Sequence, residues 1–351
     1  MTHGETREAG AAEAEERLAV VGILFGSMAA QTLRAALRLR VVELIGSGER
    51  PAAEVAAEAG TQVQGMTRLL RALAALGLLR EHAPGTFSVT SRGALLDPGR
   101  PDSMADLVSM FTEPIMLRGW DDLDEAVRTG DTTFDAVFGT DFFSHLKAHP
   151  EQSARFNAAM SQSSRATADM LPKVYDFGAF RTVADVGGGS GTLLAPVLRA
   201  YPDLTGIIHD TEEGLAQAPA ELARHGLTER CALVAGDFFR AVPEGADLYL
   251  LKSIIHDWSD DQCATILGHC RAVLPPEGRV LIVEPVLPEV VEPERTAMTY
   301  LSDLNMLVNV GGRERTRAEF GELCGRAGLS VLSVTPVGAP STFCVIEAGA
   351  A

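Results

Sequence analysis

From residue 182 onward, short apolar runs alternate with stretches of helical character. The runs read TVADV, LTGIIH, CALVA, DLYLLK and RVLIVE. Strands that are apolar almost throughout are typical of a parallel sheet with helices packed on both of its faces. The second half of the chain therefore predicts an α/β domain built on a doubly wound sheet, with a Rossmann-like arrangement of strands and helices.

The last two apolar runs do not follow this alternation. LSVLSVTPVG and STFCVIEAG are separated only by Ala339 and Pro340. Such a short connection cannot make a parallel crossover, so the two runs must pair as an antiparallel hairpin. We expect a mostly parallel sheet that ends in a C-terminal antiparallel hairpin.

The first half predicts a winged helix. Its parts are an apolar helical stretch over 18–45, a short helix closed by Gly60, a helix over about 63–76 before Gly77, and a hairpin around Pro84–Gly85. The second helix offers Arg68 and Arg71 to DNA, but most of its other side chains are apolar. We favour a dimerisation domain, because the apolar helix before the wing exceeds what one small domain needs.

Charge and cysteine usage narrow the possible partners. The formal charge of −17 disfavours binding to nucleic acid or to an anionic membrane surface. The 5 cysteines form no C-x-x-C pair, which indicates a reducing compartment. The apolar run 18–30 is too short to cross a bilayer, and the acidic residues before it do not suit a signal peptide. We expect a soluble, cytoplasmic protein whose residues 1–16 are disordered.

A glycine-rich turn follows the first predicted strand. The segment ADVGGGSGTLL lacks the third small residue of a dinucleotide fingerprint, but it fits D-x-G-x-G-x-G from Asp185 through Gly191. Glycines such as Gly187 and Gly189 let the backbone approach a ligand closely where a helix begins. Asp185, beside the turn, is placed to meet a ligand ammonium group. This pattern suits a nucleoside with an amino-acid tail better than a nicotinamide dinucleotide.

Acidic residues also stand at the ends of the next two strands. Asp210 could accept hydrogen bonds from both hydroxyls of a ribose, or could instead cap the helix that follows. After the third strand, Asp237 could accept from an adenine amino group and Phe238 could cover the ring. Three such features at successive strand ends predict one nucleoside site.

The fourth strand ends at the pair His256 and Asp257. Ser259 and Gln262 form an S-x-x-Q capping box, so the next helix begins at about residue 260 and does not need this pair as its cap. The pair lies at the carboxyl end of a parallel strand, where open α/β sheets bind ligands. We predict that His256 is a functional base.

The second half of the chain contains the motifs DVGGGSG, GDFF, LKSIIHDWSDDQC, IVEPVLP and GGRERT. In the order and spacing of these motifs, the chain resembles the S-adenosylmethionine-dependent O-methyltransferases of small molecules, both the caffeate-type plant enzymes and their bacterial natural-product relatives. The resemblance implies a class I methyltransferase fold, S-adenosyl-L-methionine as cofactor, and a homodimer formed through the N-terminal domain.

The resemblance also implies roles for particular residues. For the cofactor these are Gly187 and its neighbours as the cradle, Asp210 at the ribose, Asp237 and Phe238 at the adenine, and Lys252 at the methionyl end. For catalysis they are His256 as general base, with Asp257 beside it and Glu284 and Glu314 flanking it. Met306 and Asn309 match positions that line the substrate pocket, and Met160 is a weaker match.

These expectations divide the chain into three folded parts: 17–105 as dimerisation domain, 106–170 as a helical, substrate-lining segment, and 171–351 as the catalytic domain.

The predicted reaction is methylation of a phenolic hydroxyl in a small aromatic secondary metabolite, and it needs no metal. With an imidazole pKa of about 6.5 and a phenol pKa of about 10, the proton transfer is uphill by about 5 kcal/mol. The alternatives are a homologue turned to hydroxylation or decarboxylation, and a DNA-binding regulator.

Overall fold

The computed structural model describes residues 3–338 and 341–351, with the backbone alone for residues 3–12 and 293–296. It divides into two compact units, Met1–Glu113 and Pro114–Ala351. This division falls after Glu113, whereas the sequence predicted domain ends at residues 105 and 170, and those two boundaries stay predictions.

The first unit is mainly helical. In chain order its elements are α1 (His3–Leu24), α2 (Gly26–Arg38), α3 (Val41–Ile45), β1 (Arg50–Pro51), α4 (Ala52–Glu58), α5 (Val63–Ala75), β2 (Leu79–Ala83), β3 (Thr86–Val89) and α6 (Ala105–Phe111). Helix α5 buries Met66, Leu70 and Leu73, which recur at the spacing of one helical face. That face packs into the core of the unit, so the leucine-rich pattern of this helix marks its buried side.

The predicted helix, turn, helix and wing are confirmed. The wing is the β2–β3 hairpin, in which Ala83 pairs with Thr86, and β1 joins the other side of β3. The prediction of disorder over residues 1–16 differs from the structure, which places residues 3–16 in α1. Alanine and glutamate, both strong helix formers, make up most of this segment, so its local propensity favours a helix.

The second unit contains the sheet. Its helices and strands in chain order are α7 (Pro114–Leu117), α8 (Leu123–Thr129), α9 (Thr133–Phe138), α10 (Phe142–Ala148), α11 (Pro150–Val174), β4 (Thr182–Val186), α12 (Leu194–Ala200), β5 (Thr205–Asp210), α13 (Ala218–Arg224), β6 (Cys231–Ala235), β7 (Leu248–Lys252), α14 (Asp260–Val273), β8 (Arg279–Leu287), α15 (Pro293–Asn309), β9 (Arg315–Thr316), α16 (Arg317–Arg326), β10 (Leu329–Pro336) and β11 (Phe343–Ala350).

The strand order across this sheet is β10-β11-β8-β7-β4-β5-β6, and β9 pairs with β8. Strands β4 to β8 run parallel, while β11 runs antiparallel to both β8 and β10. The mostly parallel α/β sheet with its C-terminal antiparallel hairpin is therefore confirmed. The two residues predicted to connect the hairpin, Ala339 and Pro340, lie outside the described residues.

Both faces of the sheet are covered. Along β7, Leu248 and Leu250 belong to one buried cluster, and Tyr249 and Leu251 to the cluster on the opposite face. All four side chains are fully buried. This explains why the strands read as continuous apolar runs, and it leaves the ends of the strands as the places where polar groups can serve a ligand.

No single helix among the described residues is long and apolar enough to cross a membrane. Residues Glu13–Leu24 and Gly26–Arg38 pass that test only as a pair of helices, bent by 44° at the break.

Candidate active site

The carboxyl ends of β4, β5, β6 and β7 lie along one edge of the sheet, because these strands are adjacent and parallel. The predicted cofactor and base residues therefore share that edge. They are Asp185 and Gly187 at β4, Asp210 at β5, Asp237 after β6, and Lys252 and His256 at β7. Such an edge is where open α/β sheets bind ligands.

The glycine-rich turn after β4 is held against β5. Gly187 has a φ of +73°, and a Cβ there would overlap the side chain of Ile254, so this position requires glycine. The backbone N–H of Gly189 donates to Asp210 Oδ2 at 2.9 Å. Asp210 also accepts from the N–H of Thr211, at 2.7 Å. Asp210 thus joins two strand ends, and its side chain is not the cap of the following helix.

Asp185 is a buried acid beneath this turn. Its side chain is 1% exposed, and its Oδ2 has no hydrogen-bond partner among the described residues. Burial, with the nearby Asp210, raises the pKa of Asp185 to about 7. A buried carboxylate oxygen without a donor is expensive unless a ligand supplies one. The turn and this acid therefore fit a ligand that carries an ammonium group beside a nucleoside.

Asp237 and Phe238 extend the same edge. The exposed Asp237 accepts a hydrogen bond from the N–H of Phe239 at 2.9 Å, which fixes the turn that carries both residues. The ring of Phe238 lies 5.0 Å from Phe239 and 6.1 Å from Trp258, centroid to centroid. These rings form an aromatic wall beside the glycine turn, and the adenine roles of Asp237 and Phe238 stay predictions.

Lys252 ends β7 with its ammonium group inside the protein. Its Nζ donates to Ser164 Oγ at 3.0 Å and lies 4.9 Å from the centre of the Phe343 ring. Burial lowers the pKa of Lys252 to about 8, although Glu284, Asp257 and Asp185 act in the opposite direction. A buried cation of this kind suits a ligand carboxylate.

The turn Ile255–Asp257 follows β7 directly, and α14 then begins at Asp260 with the predicted capping box from Ser259. Glu284 holds this turn. Its Oε1 accepts from the backbone N–H groups of Ile254, Ile255 and His256, at 3.0, 2.7 and 3.2 Å. The charge of Glu284 also acts on the imidazole, and its position flanking His256 stays a prediction. Glu284 caps the backbone that carries the imidazole.

Glu314 is the acid that does bind the imidazole. His256 Nδ1 lies 3.0 Å from Glu314 Oε1, and His256 Nε2 lies 3.5 Å from Asp257 Oδ1. Because a carboxylate only accepts, Nδ1 carries the proton and Nε2 keeps its lone pair in the neutral ring. The side chains of Glu314 and His256 are 0% and 12% exposed, so the pair is protected from bulk water.

The acids around His256 change its proton affinity. Burial alone lowers the pKa of His256, but Asp257, Glu314 and Glu284 raise it to about 10. The value of about 6.5 assumed from the sequence is thus corrected upward. Burial raises the pKa of Glu284 to about 7 and that of Asp257 to about 6. The site concentrates negative charge around one imidazole.

Arg315 is a site residue that sequence reasoning missed. Its side chain is 1% exposed and donates to the carbonyls of Ile255 and Trp258, at 2.9 and 3.1 Å, and to Asp260 at 2.7 Å. A Cβ at Gly312 would overlap the backbone of His256 and Asp257, so this glycine lets the two loops touch. The sequence signal was the GGRERT motif, whose second arginine is Arg315, directly after Glu314.

The predicted substrate residues lie on two helices. Met306 and Asn309 are buried on α15, and Met160 is half-buried on α11. Asn309 Nδ2 donates to the carbonyl of Met116 at 3.4 Å and to Asn305 Oδ1 at 2.8 Å. Its Oδ1 has no partner within the described part of the chain. Asn309 therefore connects two helices, and its role toward a substrate stays a prediction.

Among the side chains that the structure describes, no cluster of three or more from His, Cys, Asp or Glu is placed to hold a metal ion. All five cysteines are free.

Models of known protein families match both the N-terminal and the C-terminal part of the chain. The model of the O-methyltransferase domain matches residues 120–330, and that of the O-methyltransferase dimerisation domain matches residues 21–97.

Individual relatives match over most of their length. An O-demethylpuromycin-O-methyltransferase from Streptomyces alboniger is 42% identical, over 98% of this chain and 93% of the relative. An 8-amino-8-demethylriboflavin N,N-dimethyltransferase from Streptomyces davaonensis is 37% identical, over 90% of both. An O-methyltransferase from neocarzinostatin biosynthesis, solved with S-adenosylmethionine and 2-hydroxy-5-methyl naphthoic acid, superposes with a TM-score of 0.75 at 32% identity, covering 92% and 96% of the two chains.

Proposed function

Because this chain belongs to the S-adenosylmethionine-dependent O-methyltransferase family, we propose that it methylates a phenolic hydroxyl of a small aromatic secondary metabolite, with His256 as general base. The observation that carries the proposal is the contact of 3.0 Å between His256 Nδ1 and Glu314 Oε1. In the neutral ring this contact leaves the lone pair on Nε2, which lies 3.5 Å from Asp257 Oδ1, to take a proton from an acceptor, and it stabilises the imidazolium that results.

The pKa values of the two partners support this role. A phenol with a pKa of about 10 gives its proton to a base of ordinary pKa only at a cost of several kcal/mol. Since Asp257, Glu314 and Glu284 raise the pKa of His256 to about 10, the free-energy cost of the transfer becomes much smaller. In return, the imidazole must first lose its own proton, so the fraction of active base increases with pH.

The residues at the sheet edge fit the cofactor by their chemistry. We assign the cradle to Gly187 and Gly189, the ribose to Asp210, and the ammonium and carboxylate ends to Asp185 and Lys252. Asp237 and Phe238 are assigned to the adenine. When bound, S-adenosylmethionine supplies an electrophilic methyl group on a sulfonium. The protein's part is then to orient the acceptor oxygen and remove its proton, because positioning contributes most to an in-line transfer.

A panel of matched acceptors tests the proposal. Purified protein would be incubated with methyl-labelled cofactor and a phenol, its methyl ether, or the corresponding aniline. We expect label in the phenol alone. Label in the aniline instead would indicate N-methylation, for which a neutral amine needs no base, and a hydroxylated or decarboxylated product without label would indicate the derived chemistry. Either result would reject the proposal.

DNA binding has less support from the structure. Arg71, one of the two arginines offered by α5, is paired with Glu81 at 3.1 Å. The apolar surface of the first unit instead supports a homodimer. Leu18, Ile23, Leu24 and Met28 on α1 and α2 are each more than half exposed, and a second copy of the chain would cover them.

A further inference from the structure

The contact between Glu314 and His256 involves a third side chain. Ser302, half-buried on α15, lies with its Oγ 3.1 Å from Glu314 Oε1. This is the same oxygen that faces His256 Nδ1, at 3.0 Å. The other oxygen, Oε2, is buried and has no partner among the residues that the structure describes. Both donors that Glu314 receives at its carboxylate therefore meet at one atom.

A carboxylate with two donors on one oxygen and none on the other needs a reason to keep that orientation. A half turn of the group only exchanges two equivalent oxygens, but a partial rotation would carry Oε1 away from His256 Nδ1. The hydroxyl of Ser302 opposes that movement, because its hydrogen bond is made only in the observed orientation. The backbone is fixed from the same helix, since Asp303 Oδ1 accepts the N–H of Glu314 at 2.7 Å. Helix α15 thus holds Glu314 at two points.

We propose that Ser302 is a positioning residue of the reaction, which holds Glu314 Oε1 on His256 and draws part of that oxygen's charge toward its own hydroxyl. The inference rests on the proposed function, and extends it to a residue that does not touch the imidazole. Ser302 and Glu314 are twelve residues apart in the chain, and no motif spans them.

The effect of Ser302 must act within a dense set of charges. Those that face His256 or its carboxylate partners are Asp257 on the same turn, Glu284 on β8, Glu314, Asp303 on α15, Arg315 on β9 and Lys252 on β7. Because Glu314 raises the pKa of His256, weakening the charge on Oε1 moderates that rise. Without the hydroxyl, Asp303 still holds the backbone of Glu314. The undivided charge on Oε1 then binds the imidazolium more tightly, and the imidazole retains its proton to a higher pH.

The variant Ser302→Ala tests this directly. The titration of His256 would be followed by NMR in protein labelled at histidine, with His256→Ala to assign the signal. We expect the midpoint in Ser302→Ala to move up by about 0.5 to 1 pH unit, since one hydrogen bond is worth about 1 kcal/mol. The acid limb of kcat/KM should move by the same amount, with turnover recovering at high pH.

Ser302→Thr retains a hydroxyl and should restore both midpoints. The matched control is Ser333→Ala, which removes a serine Oγ that lies 3.1 Å from a different half-buried acid, Glu347, on the antiparallel hairpin. This control should leave the His256 titration unchanged. An unchanged or lowered midpoint in Ser302→Ala would overturn the inference while leaving His256 as base, whereas full activity of His256→Ala would remove the proposed function itself.

Discussion

At the scale of single residues, the proposed reaction depends on how one imidazole is surrounded by acids. Position in the sequence was sufficient to select His256, because the capping box at Ser259 removed its simplest alternative role. Position was not sufficient to predict its pKa. That depends on Glu314, 58 residues further along the chain, and on burial, neither of which a local pattern records.

The raised pKa of His256 leads to a prediction for pH dependence. Only the neutral ring accepts a proton, so activity should increase as pH rises through the raised pKa. The pH profile of kcat/KM reports the pKa of the free enzyme's base. We expect its acid limb to lie well above pH 6.5. A limb at or below that pH would show that the surrounding acids do not control the base.

The variant Glu314→Gln should move this limb in the opposite direction. A neutral amide no longer stabilises the imidazolium, so the pKa of His256 falls and the limb shifts to lower pH. The maximal rate should also fall, by about 10- to 100-fold, because the tautomer and orientation of the ring are less well fixed. Steady-state rates across a pH series measure both effects. A limb that shifts upward would contradict the assignment of Glu314.

At the scale of structural elements, the strands, the capping box and the hairpin all followed from local patterns, since burial on two faces and capping act within a few residues. The contacts that hold the His256 turn could not be predicted from such local patterns. Glu284 was expected to flank the imidazole, but its hydrogen bonds to the backbone of that turn were not foreseen. Arg315 and Ser302 were missed because their partners are distant in the sequence.

Arg315 and Arg313 offer a matched pair for testing how the turn is held. Both bind Asp260, but Arg315 is 1% exposed and Arg313 is 44% exposed. Arg315→Met leaves two carbonyls of the turn without this donor and should reduce the free energy of unfolding by about 2 to 3 kcal/mol. Arg313→Met should reduce it by less than about 1 kcal/mol. Urea denaturation measures both, and equal losses would show that the buried hydrogen bonds have no special role.

At the scale of the whole molecule, the exposed apolar side chains of α1 and α2 predict a homodimer. Light scattering on purified protein should give about twice the mass of 37.3 kDa. Leu24→Glu places a charge on that surface and should shift the protein toward monomer. Asp124→Glu, a change at an exposed acid of the second unit, is the control. A monomeric wild-type protein at micromolar concentration would contradict this part of the account.

The role of His256 as base is tested by comparing methyl transfer and cofactor binding in His256→Ala. We expect single-turnover transfer to a phenol to fall by about 10²- to 10⁴-fold, the usual contribution of a general base. Calorimetry should show that the affinity for S-adenosylmethionine changes by less than about threefold, because the imidazole is assigned to the acceptor and not to the cofactor. Transfer at the wild-type rate, or a parallel loss of transfer and cofactor affinity, would contradict the claim that His256 is the base.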